Sequence, residues 1–172
     1  MKDFYDLVNN RSSLRSFIRE RPVPAPVLRR VLDAGRMAPS AKNLQPWTFK
    51  VLSSTKRLEA VYPCYPAEWI QSAPHLVFVT GQRDEAWVRR HDGYNSLETD
   101  LAIAMDHIIL AATWEGLATC WVAAFDPARL RTALELREGE EIFAFTPLGF
   151  AAPDAKPFPK KRKALDDIVE FL

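Results

Sequence analysis

Glycine is scarce in this chain, with six residues in 172 against thirteen prolines. Nucleotide-binding loops use glycine to bring backbone close to phosphate. No G-x-G-x-x-G, Walker-type or G-x-S-x-G pattern occurs, so resident dinucleotide sites, P-loops and hydrolase elbows are set aside. Cysteine and histidine are scarcer still, at two and three. Cys64 and Cys120 stand in no paired motif, which argues against a disulfide framework or a zinc ribbon. The histidines are scattered and no H-E-x-x-H is present, so no metal centre is expected. No apolar run reaches the roughly 20 residues that span a bilayer. The N-terminus has no apolar signal region, and the expected compartment is the cytoplasm, away from any membrane. A dominant charge is missing too. The net charge is +1, which gives the molecule no overall pull toward nucleic acid or anionic lipid. No pair of carboxylates stands out for acid–base work.

What remains is an ordinary globular composition, 48% hydrophobic and 26% charged, at a length that suits one domain over 1–172. Asp3 caps a short helix carrying Phe4, Leu7 and Val8. Val27, Leu28, Val31 and Leu32 repeat at helical spacing after Pro26. A strand is expected at 48–52, a helix through Val61 and a buried strand at 75–80. Leu97, Leu101, Met105, Ile108 and Ala112 stripe the strongest helix, which runs from about 96 to 115 and stops at Gly116. A strand over 119–124 and a helix opened by Asp126-Pro127 follow. The last strand, 142–150, contains Pro147, which suggests an edge or a bend. A proline-rich tail then leads to an apolar C-terminus. Helices and strands mix without a βαβ rhythm, so the expected class is a layered α+β domain.

His75 and His107 have no catalytic or ligating partner nearby in sequence and read as structural. Cys120 reads as a small core residue. The chemistry concentrates elsewhere. Residues 38–47, Ala-Pro-Ser-Ala-Lys-Asn-Leu-Gln-Pro-Trp, combine two prolines with spaced hydrogen-bonding side chains. Such a stretch is either a helix-to-strand turn or a stiff ligand-binding loop. Arg11-Ser12-Ser13-Leu14-Arg15 gathers guanidinium forks and hydroxyls of the kind that hold phosphate. Lys160-Lys161-Arg162-Lys163 is a second basic run, which either faces water or meets the first around one anion. The polar segment 82–94, with Trp87, is where substrate contacts often sit.

Taken in order, Arg11-Ser-Ser-Leu-Arg15, Pro39-Ser40…Asn43-x-Gln45-Pro46-Trp47, Gly116-Leu-Ala-Thr-Cys-Trp121, Leu148-Gly149-Phe150 and Pro159-Lys160-Lys-Arg162 resemble the nitroreductase family of FMN-dependent oxidoreductases over nearly the whole chain. The resemblance implies a three-layer α+β fold, a central mixed sheet flanked by helices, and an intertwined homodimer with FMN at the subunit interface. It also implies roles. Arg11, Ser12 and Ser13, completed by Lys160 and Arg162, hold the phosphate. Arg15 approaches the flavin pyrimidine edge. Pro39, Ser40, Ala41 and Asn43 come from the partner subunit, and Cys120, Trp121 and Val122 pass near the ring. Lys42 is a candidate for docking an anionic donor or substrate. The cofactor carries the redox step, so no side chain needs to be a strong acid, base or nucleophile. The implied reaction is ping-pong reduction of nitroaromatics, quinones or similar acceptors by NAD(P)H. Dehalogenation or flavin fragmentation on the same fold, and a non-catalytic flavin-binding scaffold, remain as alternatives. Ser12 and Ala118 depart from the family pattern, and the chain lacks the long insertions that shape pockets in larger members.

Overall fold

Strand β2 (His75–Gln82) is buried along nearly its whole length and sets the layering. Its side chains alternate between two cores, as the pleat dictates. Val77 and Val79 face one cluster with Val31, Leu101, Met105 and Ile108. Leu76 and Phe78 face another with Leu58, Val61, Leu130 and Phe145. The computed structural model describes residues 1–172. Helices α2 (Ala25–Arg36) and α4 (Leu97–Trp114) supply the first cluster. Helices α3 (Thr55–Val61) and α5 (Pro127–Ala133) supply the second. The sheet lies between them, which gives the expected three-layer α+β arrangement.

The sheet order is β1-β2-β4-β3, with β1 at Trp47–Leu52, β4 at Glu140–Gly149 and β3 at Ala118–Thr119. All named strands pair antiparallel. Mixed character is confined to one parallel bridge, Ser13 to Thr119. Between Val79 and Thr80 the β4 partner skips from Ala144 to Ile142, a bulge at Phe143. The extra residue resets the in–out alternation, so Phe143 packs with Ala144 on one face and Ile142 returns to the other.

Two expectations need correcting. The strand expected at 119–124 is only two residues long, and β4 is an inner strand, neither at the sheet edge nor stopped by its proline. Both have one cause. The register that pairs Thr119 with Leu148 and bridges Val122 to Phe145 sets Cys120 opposite Pro147. Pro147 has no N–H to give, so the ladder breaks there. The Cys120 N–H donates to Thr146 Oγ1 instead, at 3.1 Å.

Local rules explain the helices. Asp3 accepts from the Asp6 N–H to start α1 (Phe4–Asn10). Asp126 accepts from Ala128 and Arg129 N–H groups to start α5. Helix α2 lies close on α4 because residue 35 is glycine: a Cβ there would sit 2.6 Å from Ile108 Cγ1. Inside the core, His75 is structural as expected. Its Nε2 accepts from the Val23 N–H at 3.0 Å and its Nδ1 donates to Ser53 Oγ at 2.7 Å. His107 likewise donates from Nδ1 to Ala34 O.

Candidate functional site

The two ends of the chain are strapped together beside the sheet edge. Leu14 N donates to Thr119 O at 2.9 Å, Ile18 N to Phe150 O at 3.0 Å and Ala152 N to Ser16 O at 3.1 Å. Residues 11–18 are thereby threaded between β3 and the chain leaving β4. The tail beyond Ala152 then runs back over the end of α1. Lys160 Nζ donates to the Val8 carbonyl at 3.3 Å and to Asn9 O. These are carbonyls that a helix C-terminus leaves without partners.

A cavity of about 160 Å³ results, lined by Arg11, Ser12, Ser13, Phe158, Pro159, Lys160 and Arg162. No carboxylate lines it. The Lys160 ammonium is held below the ordinary lysine value by burial and by the charges of Arg11 and Arg162. Cations forced together without a counter-charge, beside two hydroxyls, form a seat for an anion such as phosphate.

Arg15 lies next to this seat, its guanidinium 4.9 Å from the Phe158 ring centroid and 5.8 Å from that of Trp69. Trp69 stacks on Phe17 and meets Tyr65 edge-on, which ties the cation to the second core. Cys120 is buried. Burial pushes its thiol up, against the pull of Arg15, Ser13 and Arg11, so it stays protonated and is no nucleophile. Trp121 is half-exposed and meets Phe143 edge-on at 5.6 Å, and Val122 is buried.

The 38–47 stretch is a strained loop. Lys42, Asn43 and Gln45 have φ of 52°, 56° and 52°, a region that non-glycine residues seldom occupy. Three groups hold it there. Asp100, buried on α4, accepts from the Ala41 N–H at 2.9 Å and from Ser96 Oγ at 2.7 Å. Ser40 Oγ accepts from the Gln45 N–H at 2.9 Å. Pro46 fixes the exit. Pro39, Ser40 and Ala41 line a second cavity, of about 270 Å³, with Trp87, Tyr94, Ser96, Thr99, Asp100 and Ile103. Lys42 and Asn43 are exposed and line neither cavity.

Within one chain the predicted residues therefore fall into two groups. Arg11, Ser12, Ser13, Lys160 and Arg162 meet around the anion seat, with Arg15 and Cys120 against it. Pro39, Ser40 and Ala41 lie at a separate cavity that shares no lining residue with the first. Sequence reasoning missed Phe158, Trp69 and Asp100. Only the position of Asp100 in the first turn of a largely apolar helix, beside Glu98, gave any signal. No group of three or more His, Cys, Asp or Glu side chains is placed to hold a metal ion, and no helix is long and apolar enough to cross a membrane.

The chain is similar to several known proteins. Iodotyrosine deiodinase of Danio rerio is 29% identical over 201 aligned positions, covering 98% of this chain and 67% of the relative. An NADH dehydrogenase of Thermus thermophilus is 28% identical, covering 92% of this chain and 91% of the relative. The crystal structure of a nitroreductase family protein from Clostridium difficile superposes with a TM-score of 0.86 at 30% identity, over 98% of both chains. The sequence profile of the nitroreductase family matches residues 8–65 and 56–150. On profile, relatives and fold together, the chain belongs to the nitroreductase family.

Proposed function

We propose that this protein is an FMN-dependent oxidoreductase that takes electrons from NAD(P)H and passes them to small aromatic acceptors such as quinones and nitroaromatics. The observation that carries this reading is the carboxylate-free cavity where Arg11, Ser12 and Ser13 meet Lys160 and Arg162. A flavin phosphate supplies the negative charge that those cations lack, so the residues present fit the group. Arg11 and Arg162 offer planar forks to phosphate oxygens, and Lys160 a point charge anchored on α1. The hydroxyls of Ser12 and Ser13 complete the donor set.

Bound FMN supplies reversible hydride acceptance and release. The protein's part is to hold and tune it. Arg15, held against Trp69 and Phe158, would favour the electron-rich form of a pyrimidine ring seated beside it. Residues Cys120 to Val122 would border the ring, with the Cys120 N–H already given to Thr146 Oγ1 and the Val122 N–H to Phe145 O. Without a resident dinucleotide loop, NAD(P)H would visit and leave before the acceptor enters, and the exposed Lys42 is a candidate for meeting its anionic groups.

The site is completed in a homodimer, in which Pro39, Ser40, Ala41 and Asn43 of one subunit approach the flavin held by the other. Large apolar side chains left exposed by the single chain support this. They include Phe4 and Tyr5 on α1, Trp114 on α4, and Leu165, Ile168 and Phe171 in the tail. The outer edge of β1 is unpaired, and beside it a groove of about 610 Å³ is lined by Leu32, Trp47 and Phe49 with Arg29, Arg30, Asp33 and Arg36.

Reductive dehalogenation is a second reading, raised by the name of the Danio rerio relative. That alignment spans 201 positions against a chain of 172 residues, so the relative carries insertions that this chain lacks. Acceptor reduction is therefore preferred. Purified protein should be yellow, lose its visible absorbance on anaerobic addition of NADH or NADPH, and regain it when a quinone is added. Protein that stays colourless after incubation with FMN contradicts the proposal.

A further inference from the structure

Several arginines of this chain pair with a carboxylate: Arg30 with Glu115, Arg57 with Glu135, Arg83 with Glu98 and Glu141. Even Arg89, which lies on the Tyr94 ring at 4.8 Å, is paired with Asp92 at 2.6 Å. Arg15 is different. It is exposed, no carboxylate pairs with it, and its guanidinium lies 5.8 Å from the Trp69 ring centroid and 4.9 Å from that of Phe158. Both rings are placed by structure outside Arg15 itself. Trp69 stacks on buried Phe17 at 6.4 Å and meets Tyr65 edge-on at 5.9 Å, and Tyr65 in turn meets Phe145 of the core. The turn that carries Trp69 (Glu68–Ser72) is tied to the 11–18 segment through one hydroxyl. Ser72 Oγ accepts from the Phe17 N–H at 3.2 Å and donates to Trp69 O at 2.7 Å. Phe158 comes from the tail and, with Lys160, lines the anion seat.

We propose that Trp69, with Phe158, is a positioning residue for the flavin reaction: the two rings hold the Arg15 guanidinium beside the anion seat without neutralising it, and so raise the reduction potential of the bound flavin. The proposal rests on the flavin-dependent reading above. The kind of partner is what matters. A carboxylate would fix the guanidinium as well, but its negative charge would cancel most of the field felt nearby. An aromatic face attracts the cation through its quadrupole and carries no net charge, so the full positive charge is left. Hydride transfer from NAD(P)H delivers two electrons and one proton and leaves one negative charge on the ring system, with NAD(P)+ as the other product. A cation already fixed in place stabilises that charge without having to reorganise as it forms. A guanidinium on a free side chain would extend into water, where salt and solvent screen it.

The test uses the FMN-loaded protein, freed of unbound FMN, and reads its two-electron midpoint potential by anaerobic equilibration with a dye of known potential. Arg15→Gln removes the charge and should lower the potential. Trp69→Leu should lower it too, by about tenfold in the ratio of reduced to oxidised flavin at a fixed potential, which is about 30 mV for a two-electron couple. Trp69→Phe keeps a ring against the guanidinium and should restore most of the loss. Added to Arg15→Gln, Trp69→Leu should cause no further fall, because it acts only through the cation. Phe158→Leu, at an exposed position, should lower the potential in the same way and covers the case in which Trp69→Leu does not fold. A wild-type potential in Trp69→Leu, or in Phe158→Leu where Trp69→Leu does not fold, would overturn the proposal. So would an equal fall with and without Arg15, since a ring that only supports the fold acts independently of the cation. Either result leaves FMN uptake, and with it the flavin-dependent reading, intact. Protein that takes up no FMN would overturn that reading, and the role of Trp69 with it.

Discussion

Arg162 and Lys161 are neighbours with different fates. Arg162 lines the anion seat, whereas Lys161 does not. A charge-assisted hydrogen bond contributes about 1.5–3 kcal/mol, roughly a tenfold to hundredfold in affinity. Arg162→Ala should therefore weaken FMN binding by about that factor in a fluorescence-quenching titration, and Lys161→Ala should leave it nearly unchanged. Equal effects would mean that the basic run acts only as diffuse charge. His75 gives a residue-scale prediction about stability. Burial holds its folded pKa below the ordinary histidine value. The unfolded chain then binds the proton more readily, so the neutral ring's contribution is fully present above pH of about 6.5 and is lost as pH falls through the folded pKa. Urea midpoints measured at pH 8 and pH 5.5 should show this loss in wild type and a smaller loss in His75→Gln. Glu140 adds a similar trend at lower pH. Burial pushes its carboxyl up, but hydrogen bonds from Thr80 and Lys50 and the Arg137 N–H outweigh this and leave it below the usual value.

At the scale of elements, most helices could be read from the sequence because their signals are local. Asp3 and Asp126 are caps, and the Leu97–Ala112 stripe needs only its own period. Strand β3 could not be read that way. Its length depends on Pro147, which is distant in sequence and meets Cys120 only once the register is set. The site divides likewise. The Arg11–Arg15 and Lys160–Arg162 clusters announced anion binding by composition, but their meeting depends on backbone straps at Leu14, Ile18 and Ala152. The second cavity was hidden because Ser40, Tyr94 and Asp100 lie on stretches that only the fold brings together. The strained loop at its wall depends on Gly81 of β2, which pairs with Trp47 and sits so close to Pro46 that a Cβ there would collide with the Pro46 carbonyl oxygen. Backbone has to move if a side chain is added. Gly81→Ala should cost about 1–3 kcal/mol in urea unfolding and weaken FMN binding as well. Loss of stability with unchanged FMN affinity would show that the loop does not rely on this contact.

For the whole molecule, the proposed site is shared between two subunits, each carrying both halves. The anion seat and the 38–47 loop are separate within the chain, and the tail that supplies Lys160 and Arg162 also carries exposed Leu165, Ile168 and Phe171. Sedimentation of the full chain should give a dimer. A chain ending at Ala152 should lose both the dimer and FMN, whereas a truncated monomer that still binds FMN tightly would uncouple the two. The central claim is that cations from both ends of the chain seat a flavin phosphate, and comparing FMN with riboflavin on the cofactor-free protein tests it most directly. Affinity for FMN should exceed that for riboflavin by about a hundredfold or more, and the difference should collapse in the Arg11→Ala, Arg162→Ala double variant. Equal affinity for the two flavins in the wild-type protein would contradict it.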